Sequence, residues 1–347
     1  MNFARQFASD NYAGICPEVL ESFTQANRDH APSYGADEWT AKAVNDIREV
    51  FETECAVHFV FNGSAANSLI LSSMCDSFGA VVCHEFGHVA NDECNAPGFF
   101  RHGLSLEPTP GANGKLTPDL VEATAVRRTD VHAPKAQALS ITNATEVGTV
   151  YSVSELGAVV EKGKSLGLKT HLDGARFSNA VASLEVAPAE ITWRAGVNAM
   201  CFGGTKNGMG FGEAIVIFDP ELARNFDYRV KQSGQLASKH RFLSAQWHGF
   251  LQHGVWLRNA RNANAAAQRL RVGLESLTGV EIAFPTEANA VFAYLPSGTV
   301  KALHASGRKF YTDVGPNGCA RLMCAWDTTF EDVDGLVEQI RTLKADS

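Results

Sequence analysis

An acid and a lysine stand at the ends of two apolar segments of this sequence. The acid is Asp173, in the segment His-Leu-Asp-Gly-Ala-Arg, and Lys206 follows 33 positions later in a glycine-flanked turn. In an open α/β sheet, both side chains would project into the crevice at the carboxyl ends of the strands, where ligands bind. Pyridoxal 5'-phosphate (PLP) needs a lysine for its aldehyde and an acid for its ring nitrogen. The pair therefore predicts a site for this cofactor.

Each of these residues alone also has an ordinary explanation. A lysine beside glycines is commonly exposed, and an acid between a strand and a helix is commonly an N-cap. A catalytic Lys206 must lose its proton before it attacks an aldehyde, and burial near another cation favours that loss. Arg176 lies three residues after the acid. Together, the three residues are more specific for a PLP site than any one of them.

A glycine and two small residues, Gly63, Ser64 and Ala65, separate an apolar strand from an apolar helix. The free N–H groups at the start of such a helix bind phosphate. The segment therefore predicts the site of the cofactor phosphate. A helix capped by Ser64 explains the same residues, and the two explanations are compatible because the same unpaired donors serve both.

The segment His84-Glu85-Phe86-Gly87-His88 matches a different chemistry, the His-Glu-x-x-His signature of zinc hydrolases. There, two histidines on one face of a helix bind the metal and the glutamate activates water. Gly87 weakens the required helix, and the residues before His84 resemble a strand. A zinc site also gives no role to Asp173 or Lys206. We therefore predict no metal, and an imidazole of His88 that stacks on the pyridine ring.

Arg321 lies in an apolar strand-like segment, Cys319 to Cys324. A buried arginine needs an anionic partner because an unpaired buried charge is strongly unfavourable. Its planar guanidinium suits the α-carboxylate of an amino acid. An arginine on an exposed strand face is the alternative.

The composition is that of an ordinary globular protein, with 45% hydrophobic and 20% charged residues. The net charge of −8 argues against nucleic acid or an anionic membrane as the main partner. No apolar segment approaches the length of a membrane span, and residues 1–6 do not begin a signal peptide. Cysteines such as Cys201, Cys319 and Cys324 lie in apolar strands and are typical of reduced core thiols. We expect a cytoplasmic protein.

Strand-like and helical segments alternate through the middle of the chain, which predicts an α/β fold with a largely parallel sheet. Residues 246–277 resemble one long helical connector to a smaller α+β domain. We therefore divide the chain into a large cofactor-binding domain, residues 1–250, and a C-terminal domain, residues 251–347. The predicted strands are 57–61, 80–83, 137–141, 168–172, 198–202, 213–218, 290–295 and 320–325. One predicted helix begins after Ser64 and ends at residue 74. The others span 117–127, 154–165, 299–306 and 329–343.

These segments together resemble the L-threonine aldolases, which have the fold of aspartate aminotransferase (fold type I of PLP-dependent transferases). The resemblance extends from Phe7 to Arg321, and its most specific part is His-x-Asp-Gly-Ala-Arg followed by the lysine turn. It implies a large, mainly parallel sheet domain with a smaller C-terminal domain. It also implies a homodimer or homotetramer whose active site lies at the subunit interface.

The resemblance also implies a role for each matching residue. Lys206 would be the Schiff-base lysine, Asp173 would bind the ring nitrogen, and His88, with Glu93 behind it, would stack on the ring. The phosphate would lie at Gly63, Ser64 and Ala65. Residues near the substrate would be Ser9, Tyr34, Arg176 and Arg321, the two arginines holding the carboxylate.

Two segments depart from the family pattern. The family commonly has a Glu-Asn-Thr-His-Asn-like segment, where this chain has Thr-Asn-Ala-Thr-Glu at residues 142–146. The histidine that would touch the substrate hydroxyl is therefore absent. The glycine-rich segment that supplies a phosphate-binding arginine from the neighbouring subunit is also altered, and Lys239 is the candidate for that contact. These changes favour a divergent branch that accepts bulkier substrates such as phenylserine.

The predicted reaction is the reversible cleavage of an L-3-hydroxy-α-amino acid to glycine and an aldehyde. His88, directly or through water, is the candidate for removing the β-hydroxyl proton. The alternatives are another fold type I enzyme, such as a β-eliminating lyase or an aminotransferase, a zinc hydrolase, and a non-catalytic PLP-binding protein. The sequence leaves the preferred aldehyde and the stereopreference at the β-carbon open.

Overall fold

Two β-sheets organise the computed structural model, which describes residues 5–312 and 318–345 of this chain. The larger sheet has seven strands in the order β1-β7-β6-β5-β4-β2-β3, and the smaller sheet has three in the order β10-β9-β8. The strands, β1 to β10 in chain order, are Ala56–Val60, Gly79–His84, Ser105–Thr109, Lys135–Thr142, Lys169–Gly174, Ala199–Phe202, Glu213–Ile217, Glu281–Ile282, Ala290–Tyr294 and Cys319–Met323.

Helices cover the sheets, and short 3-10 helices include Asp10–Tyr12 and Thr205–Asn207. Among the described residues, none of the helices combines the length and the apolar character that a membrane span requires. The helices, α1 to α14 in chain order, are Pro17–Ala26, Glu38–Phe51, Gly63–Met74, His88–Asn91, Ala96–Arg101, Pro118–Ala125, Val153–Ser165, Phe177–Leu184, Pro220–Ala223, Phe226–Gln232, Arg241–Leu251, Val255–Glu275, Ser297–Ala305 and Phe330–Ala345.

The strand register brings chemically active positions to one edge of the larger sheet. Strands β2 to β6 pair in parallel, and Thr142 at the end of β4 lies beside Asp173 on β5. Strand β7 runs antiparallel to both of its neighbours, and its first residue, Glu213, pairs with Val60 at the end of β1. The carboxyl ends of β1, β4, β5 and β6 therefore meet the amino end of β7. Such an edge is where α/β folds bind ligands.

The apolar patterns explain why these strands form the centre of the fold. Strands β2, β6 and β7 are buried along their whole length. Leu139 and Leu172 contribute to the core on one face of the sheet, and Val81, Cys201 and Ile215 to the core on the other. A strand buried on both faces is apolar at successive positions, as expected for a sheet covered by helices on both sides. The predicted α/β class is confirmed.

The fold contains elements that the sequence analysis did not predict, such as α8 and β8, and three of the differences have a physical explanation. The predicted connector over 246–277 is two helices, α11 and α12, separated by a turn in which His253 and Gly254 have positive φ. Helices α1 and α2 were not predicted, because their apolar residues are spaced among many polar ones. Strand β3 was also missed, since Pro108 interrupts its pattern and its position at the sheet edge tolerates a proline.

The smaller sheet has its own apolar core, to which α12, α13 and α14 contribute. The start of the chain joins this core: Phe7 is buried there, and its carbonyl accepts a hydrogen bond from the N–H of Met323 at 2.8 Å. The division at residue 250 stays a prediction.

Candidate active site

Two connected cavities lie at the edge of the larger sheet where the strand ends meet. The first, of about 320 Å³, is lined by residues of α3, β5 and the turn after β6. The second, of about 630 Å³, extends toward the smaller sheet and is lined by Ser9, Arg176 and Arg321 among others. His88 and Lys206 line both cavities. Ligands in the two cavities would therefore both lie beside these two side chains.

Asp173 lies at the end of β5 on the wall of the first cavity and is 2% exposed. Its Oδ1 accepts a hydrogen bond from the N–H of Ala175 at 3.0 Å, and its Oδ2 accepts one from the Asn67 side chain at 2.9 Å. The fixed carboxylate is suited to bind a protonated ring nitrogen, because a charge-assisted hydrogen bond is the stronger kind.

Lys206 lies in the turn after β6 and faces Asp173 across the first cavity. Burial, together with the charge of Arg176, lowers the pKa of its amine. A lowered pKa makes an amine a better nucleophile toward an aldehyde at neutral pH. The turn is held by Glu213, whose carboxylate accepts the N–H of Gly204 at 2.6 Å.

His88 begins the short helix α4 and is positioned from two sides. Its ring Nδ1 bonds to Oε1 of Glu93 at 2.9 Å, and that bond raises the pKa of the imidazole. Oε1 of Glu93 also accepts a hydrogen bond from Asn67 at 2.8 Å. The backbone N–H of His88 donates to Glu146 at 2.8 Å. These bonds fix the ring at the cavity wall, where it could stack on a planar ligand.

Residues at the start of α3 form one end of the first cavity. The sequence analysis predicted that these residues bind the cofactor phosphate. The helix is capped by Asn62, whose Oδ1 accepts the N–H of Ala65 at 2.9 Å, so Ser64 is not the cap. Gly63 and Ser64 line the cavity. A Cβ on Gly63 would meet no atom within 4 Å, so the space beside its backbone is open to a ligand. These features fit a phosphate at the helix start.

Arg176 lines the second cavity but already has a carboxylate partner within the chain. Its Nε donates to Oδ2 of Asp10 at 2.7 Å and its Nη2 to Oδ1 at 3.0 Å. Asn289 also donates to Asp10, at 3.1 Å. Sequence reasoning missed Asp10, because nothing local connects residue 10 with residue 176. The bidentate pair holds the guanidinium in place, and its part in substrate binding stays a prediction.

Arg321 on β10 reaches the same cavity from the smaller sheet. Its Nη2 donates to the carbonyl of Ala8 at 3.1 Å, and its guanidinium lies 5.0 Å from the centre of the Tyr311 ring. Its Nε is buried and has no hydrogen-bond partner among the described residues. Ser9, which follows Ala8, lines the cavity beside it. The unpaired donor is suited to an anionic group of a ligand.

Ala65 of α3 lines neither cavity, and two other predicted site residues, Tyr34 and Lys239, also lie outside both. Tyr34 is 51% exposed, and its ring lies 4.7 Å from the amine of Lys231. Lys239 lines a neighbouring cleft with Phe61 and Phe211, which also line the first cavity. Their contact with the site of another subunit stays a prediction.

The structure does not form the helix that the zinc motif requires. His84 ends strand β2, and its Nε2 bonds to the carbonyl of Gly111 at 2.9 Å, whereas His88 begins a separate helix. In the described ranges, no cluster of three or more histidine, cysteine, aspartate or glutamate side chains is arranged to hold a metal.

Two acids at the site were not singled out from the sequence. Glu213 lines the first cavity and Glu146 the second. Glu146 follows a strand at the active edge, so the strand pattern was an available signal for it, whereas Glu213 reaches this edge only because β7 runs antiparallel to its neighbours. Burial raises the pKa of both carboxyls, that of Glu213 to about 7.

The sheet order, the lysine turn and the acid at the end of β5 define a PLP-dependent enzyme of fold type I. The model of the beta-eliminating lyase family matches residues 6–297. The chain is 52% identical to the low specificity L-threonine aldolase of Pseudomonas sp. (strain NCIMB 10558) over 98% of each chain. It is 29% identical to the Escherichia coli (strain K12) enzyme of the same description, over 59% of this chain and 62% of that one.

Solved structures agree with this assignment. The threonine aldolase of Leishmania major superposes with a TM-score of 0.90 at 28% identity, over 97% of this chain and 98% of that one. The tryptophan decarboxylase of Catharanthus roseus shares the fold, with a TM-score of 0.77 at 15% identity, over 98% of this chain and 84% of that one. This chain belongs to the beta-eliminating lyase family and, within it, to the L-threonine aldolases. The predicted resemblance, the fold type, the PLP cofactor and the class of carbon–carbon lyase are confirmed.

Proposed function

We propose that this chain cleaves L-threonine, L-allo-threonine and related L-3-hydroxy-α-amino acids, reversibly, to glycine and an aldehyde. The observation that supports this most is the direct connection between the two cavities at Lys206 and His88. An amino acid held in the second cavity places its amine beside the lysine. The similarity to the low specificity L-threonine aldolase of Pseudomonas, 52% identical over 98% of each chain, also supports this activity.

The bound cofactor supplies an electron sink for the bond that breaks at the amino-acid α-carbon. Lys206 would hold its aldehyde, and Asp173 would keep its ring nitrogen protonated. The imidazole of His88 would pack on the ring, held by Glu93 at 2.9 Å. Gly63 and Ser64, with the N–H groups at the start of α3, would bind its phosphate.

The substrate would be oriented by its carboxylate. Arg321 offers an Nε that has no hydrogen-bond partner within residues 5–312 and 318–345, and Arg176 lines the same cavity while bound to Asp10. Ser9 lines this cavity as well. Holding the carboxylate fixes which bond at the α-carbon stands perpendicular to the cofactor ring, and only that bond can break with assistance from the ring.

Two features support a divergent substrate range. Thr145 occupies the place where the related family segment has a histidine, so no imidazole from this loop contacts the hydroxyl. The second cavity, of about 630 Å³, has room for an aromatic side chain at the β-carbon. We therefore include phenylserine among the substrates.

The deciding experiment is an assay of the purified holoenzyme with L-threonine, L-allo-threonine and L-phenylserine, in which glycine and the aldehyde are quantified. Release of both products in equal amounts supports the proposal. The rival within the same family is a β-eliminating lyase, which would instead release pyruvate and ammonia from L-serine. Release of keto acid without glycine would replace the aldolase assignment with that activity.

The location and assembly of the protein are parts of the same proposal. A cytoplasmic location is supported by buried thiols such as Cys201 and Cys324, whose pKa burial raises above the ordinary value. A homodimer or homotetramer is supported by exposed aromatic side chains, namely Phe61 on the wall of the first cavity, Tyr34 and Tyr12. Lys239 and Tyr34 would then reach the cofactor site of a second subunit.

A further inference from the structure

Glu146 lies on the loop after β4, on the wall of the second cavity. Its Oε1 accepts hydrogen bonds from the N–H of His88 at 2.8 Å and from the hydroxyl of Thr142 at 3.0 Å. Its Oε2 is buried and has no hydrogen-bond partner among the described residues. One oxygen therefore fixes the carboxylate, and the other is left for a donor that the described part of the chain does not supply.

The groups around this carboxylate come from four elements. Burial opposes the ionisation of Glu146, and so does the negative charge of Asp173 on β5. Both raise the pKa of the Glu146 carboxyl. A carboxyl whose pKa lies nearer neutrality is a more effective proton acceptor and donor at neutral pH. The other titratable groups in its field are Arg176 after β5, Cys83 of β2, Tyr151 of the same loop and the nearby His88.

His88 is less suited to accept a proton. Its Nδ1 is bonded to Glu93, and that bond raises the pKa of the ring and so favours the imidazolium form. The bond to Glu93 also occupies Nδ1, so only Nε2 of the ring could accept a proton. In the loop after β4, Glu146 stands in the last position of the segment where the related family has asparagine.

We infer that Glu146 is the catalytic base that accepts the β-hydroxyl proton of the substrate. This inference rests on the proposed function. The carboxylate Oε2 takes the proton, and the O–H electron pair becomes the second bond of the aldehyde carbonyl. The Cα–Cβ bond breaks, and its electron pair remains with the α-carbon, where the cofactor stabilises it. Protonation of that carbon gives glycine, and Glu146 returns its proton in the reverse direction or to solvent.

Glu146→Gln tests the assignment, because glutamine keeps an acceptor for His88 and Thr142 but cannot take a proton. Glu122→Gln, an exposed acid on α6, is the matched control. In the holoenzyme variant, kcat for threonine cleavage should fall by about 100-fold or more, the contribution typical of a general base. Exchange of the glycine α-hydrogen with deuterated water needs no hydroxyl proton, and should stay within about threefold of wild type.

Two measurements without turnover accompany the assay. The glycine dissociation constant, from the change in the cofactor spectrum, should stay unchanged if the variant leaves the binding site intact. In the cofactor-free protein, a raised acid pKa lowers stability as pH rises above the ordinary glutamate value. Glu146→Gln should therefore raise the melting temperature at pH 8, and the gain should shrink toward pH 4.

The possible outcomes separate the inference from the function on which it rests. Cleavage by Glu146→Gln at the wild-type rate overturns the assignment of the base and leaves the aldolase proposal standing. An equal loss of cleavage and of glycine exchange also overturns it, since Glu146 would then support the site as a whole. A wild-type enzyme that releases no glycine from any of the hydroxy amino acids overturns both.

Discussion

Asp10 and Arg176 form a bidentate ion pair across 166 positions of the chain, with donor–acceptor distances of 2.7 and 3.0 Å. Asp10 is 2% exposed and 13% of the Arg176 side chain is exposed. The charge of Arg176 and its hydrogen bonds outweigh the burial of Asp10 and keep the pKa of that carboxyl below its ordinary value. The pair therefore anchors the start of the chain to the second cavity.

Asp10→Ala should leave Arg176 as an uncompensated, largely buried charge. Removing one partner of such a pair costs about 3–5 kcal/mol of unfolding free energy. The freed guanidinium should also lose its fixed position, so KM for the amino acid should rise. Urea denaturation and steady-state kinetics measure the two effects. Asp10→Asn, which keeps an acceptor oxygen, is the control and should lose less stability; equal stability of all three proteins would contradict the prediction.

Lys206→Ala should lower turnover by about 1000-fold or more, because no other lysine lines the first cavity among the residues that the structure describes. The absorption band of the lysine-linked cofactor should disappear with it. Lys162→Ala, at an exposed ion pair with Glu122, is the control and should keep both. Borohydride reduction of the wild-type holoenzyme followed by peptide mapping should label Lys206. Near-normal turnover in Lys206→Ala would exclude the assignment.

Asp173→Asn should impair catalysis far more than folding. Asparagine has one acceptor oxygen, so the variant loses one of the two hydrogen bonds that Asp173 accepts, worth about 1–3 kcal/mol for a charged acceptor. The ring nitrogen loses its anionic partner, and kcat should fall by about 100-fold or more, as for other charge-stabilising groups. Paired measurements of kcat and thermal stability compare the two effects, and a variant that loses much stability while its kcat stays near the wild-type value would contradict the prediction.

Glu213 should make stability depend on pH. Burial raises its pKa from 4.5 to about 7, so the folded protein resists ionisation of this carboxyl. The associated stability is fully present below pH 4.5 and is lost as the pH rises toward 7. Glu213→Gln keeps an acceptor for Gly204 and should be more stable than wild type at pH 8, by at most about 3 kcal/mol. The difference should vanish below pH 4.5.

Urea denaturation of the cofactor-free proteins at several pH values measures the effect of Glu213. Glu122→Gln, at an exposed position of α6, serves as the reference for a neutralised acid outside the site. If the Glu213 variant and wild type lose stability in parallel between pH 5 and 8, the carboxyl ionises normally in the folded protein.

The sequence was sufficient to predict the positions of the site residues that lie at strand ends. Asp173 and Lys206 follow apolar strands directly, and Gly63 lies between a strand and a helix, so local pattern placed all three. Asp10 could not be found this way, because its partner is distant in sequence. The sequence also could not show that β7 runs antiparallel to its neighbours, since an apolar strand has the same pattern in either direction. The position of Glu213 at the active edge could therefore not be predicted either.

Asn67 on α3 donates from a single amide nitrogen to Asp173 at 2.9 Å and to Glu93 at 2.8 Å. The two protons of that nitrogen are thus divided between the acid at the end of β5 and the acid behind the imidazole. Any displacement of α3 on phosphate binding would therefore change the hydrogen bonds of both carboxylates at once. Efforts to engineer one of these acids independently will therefore have to redesign position 67 as well.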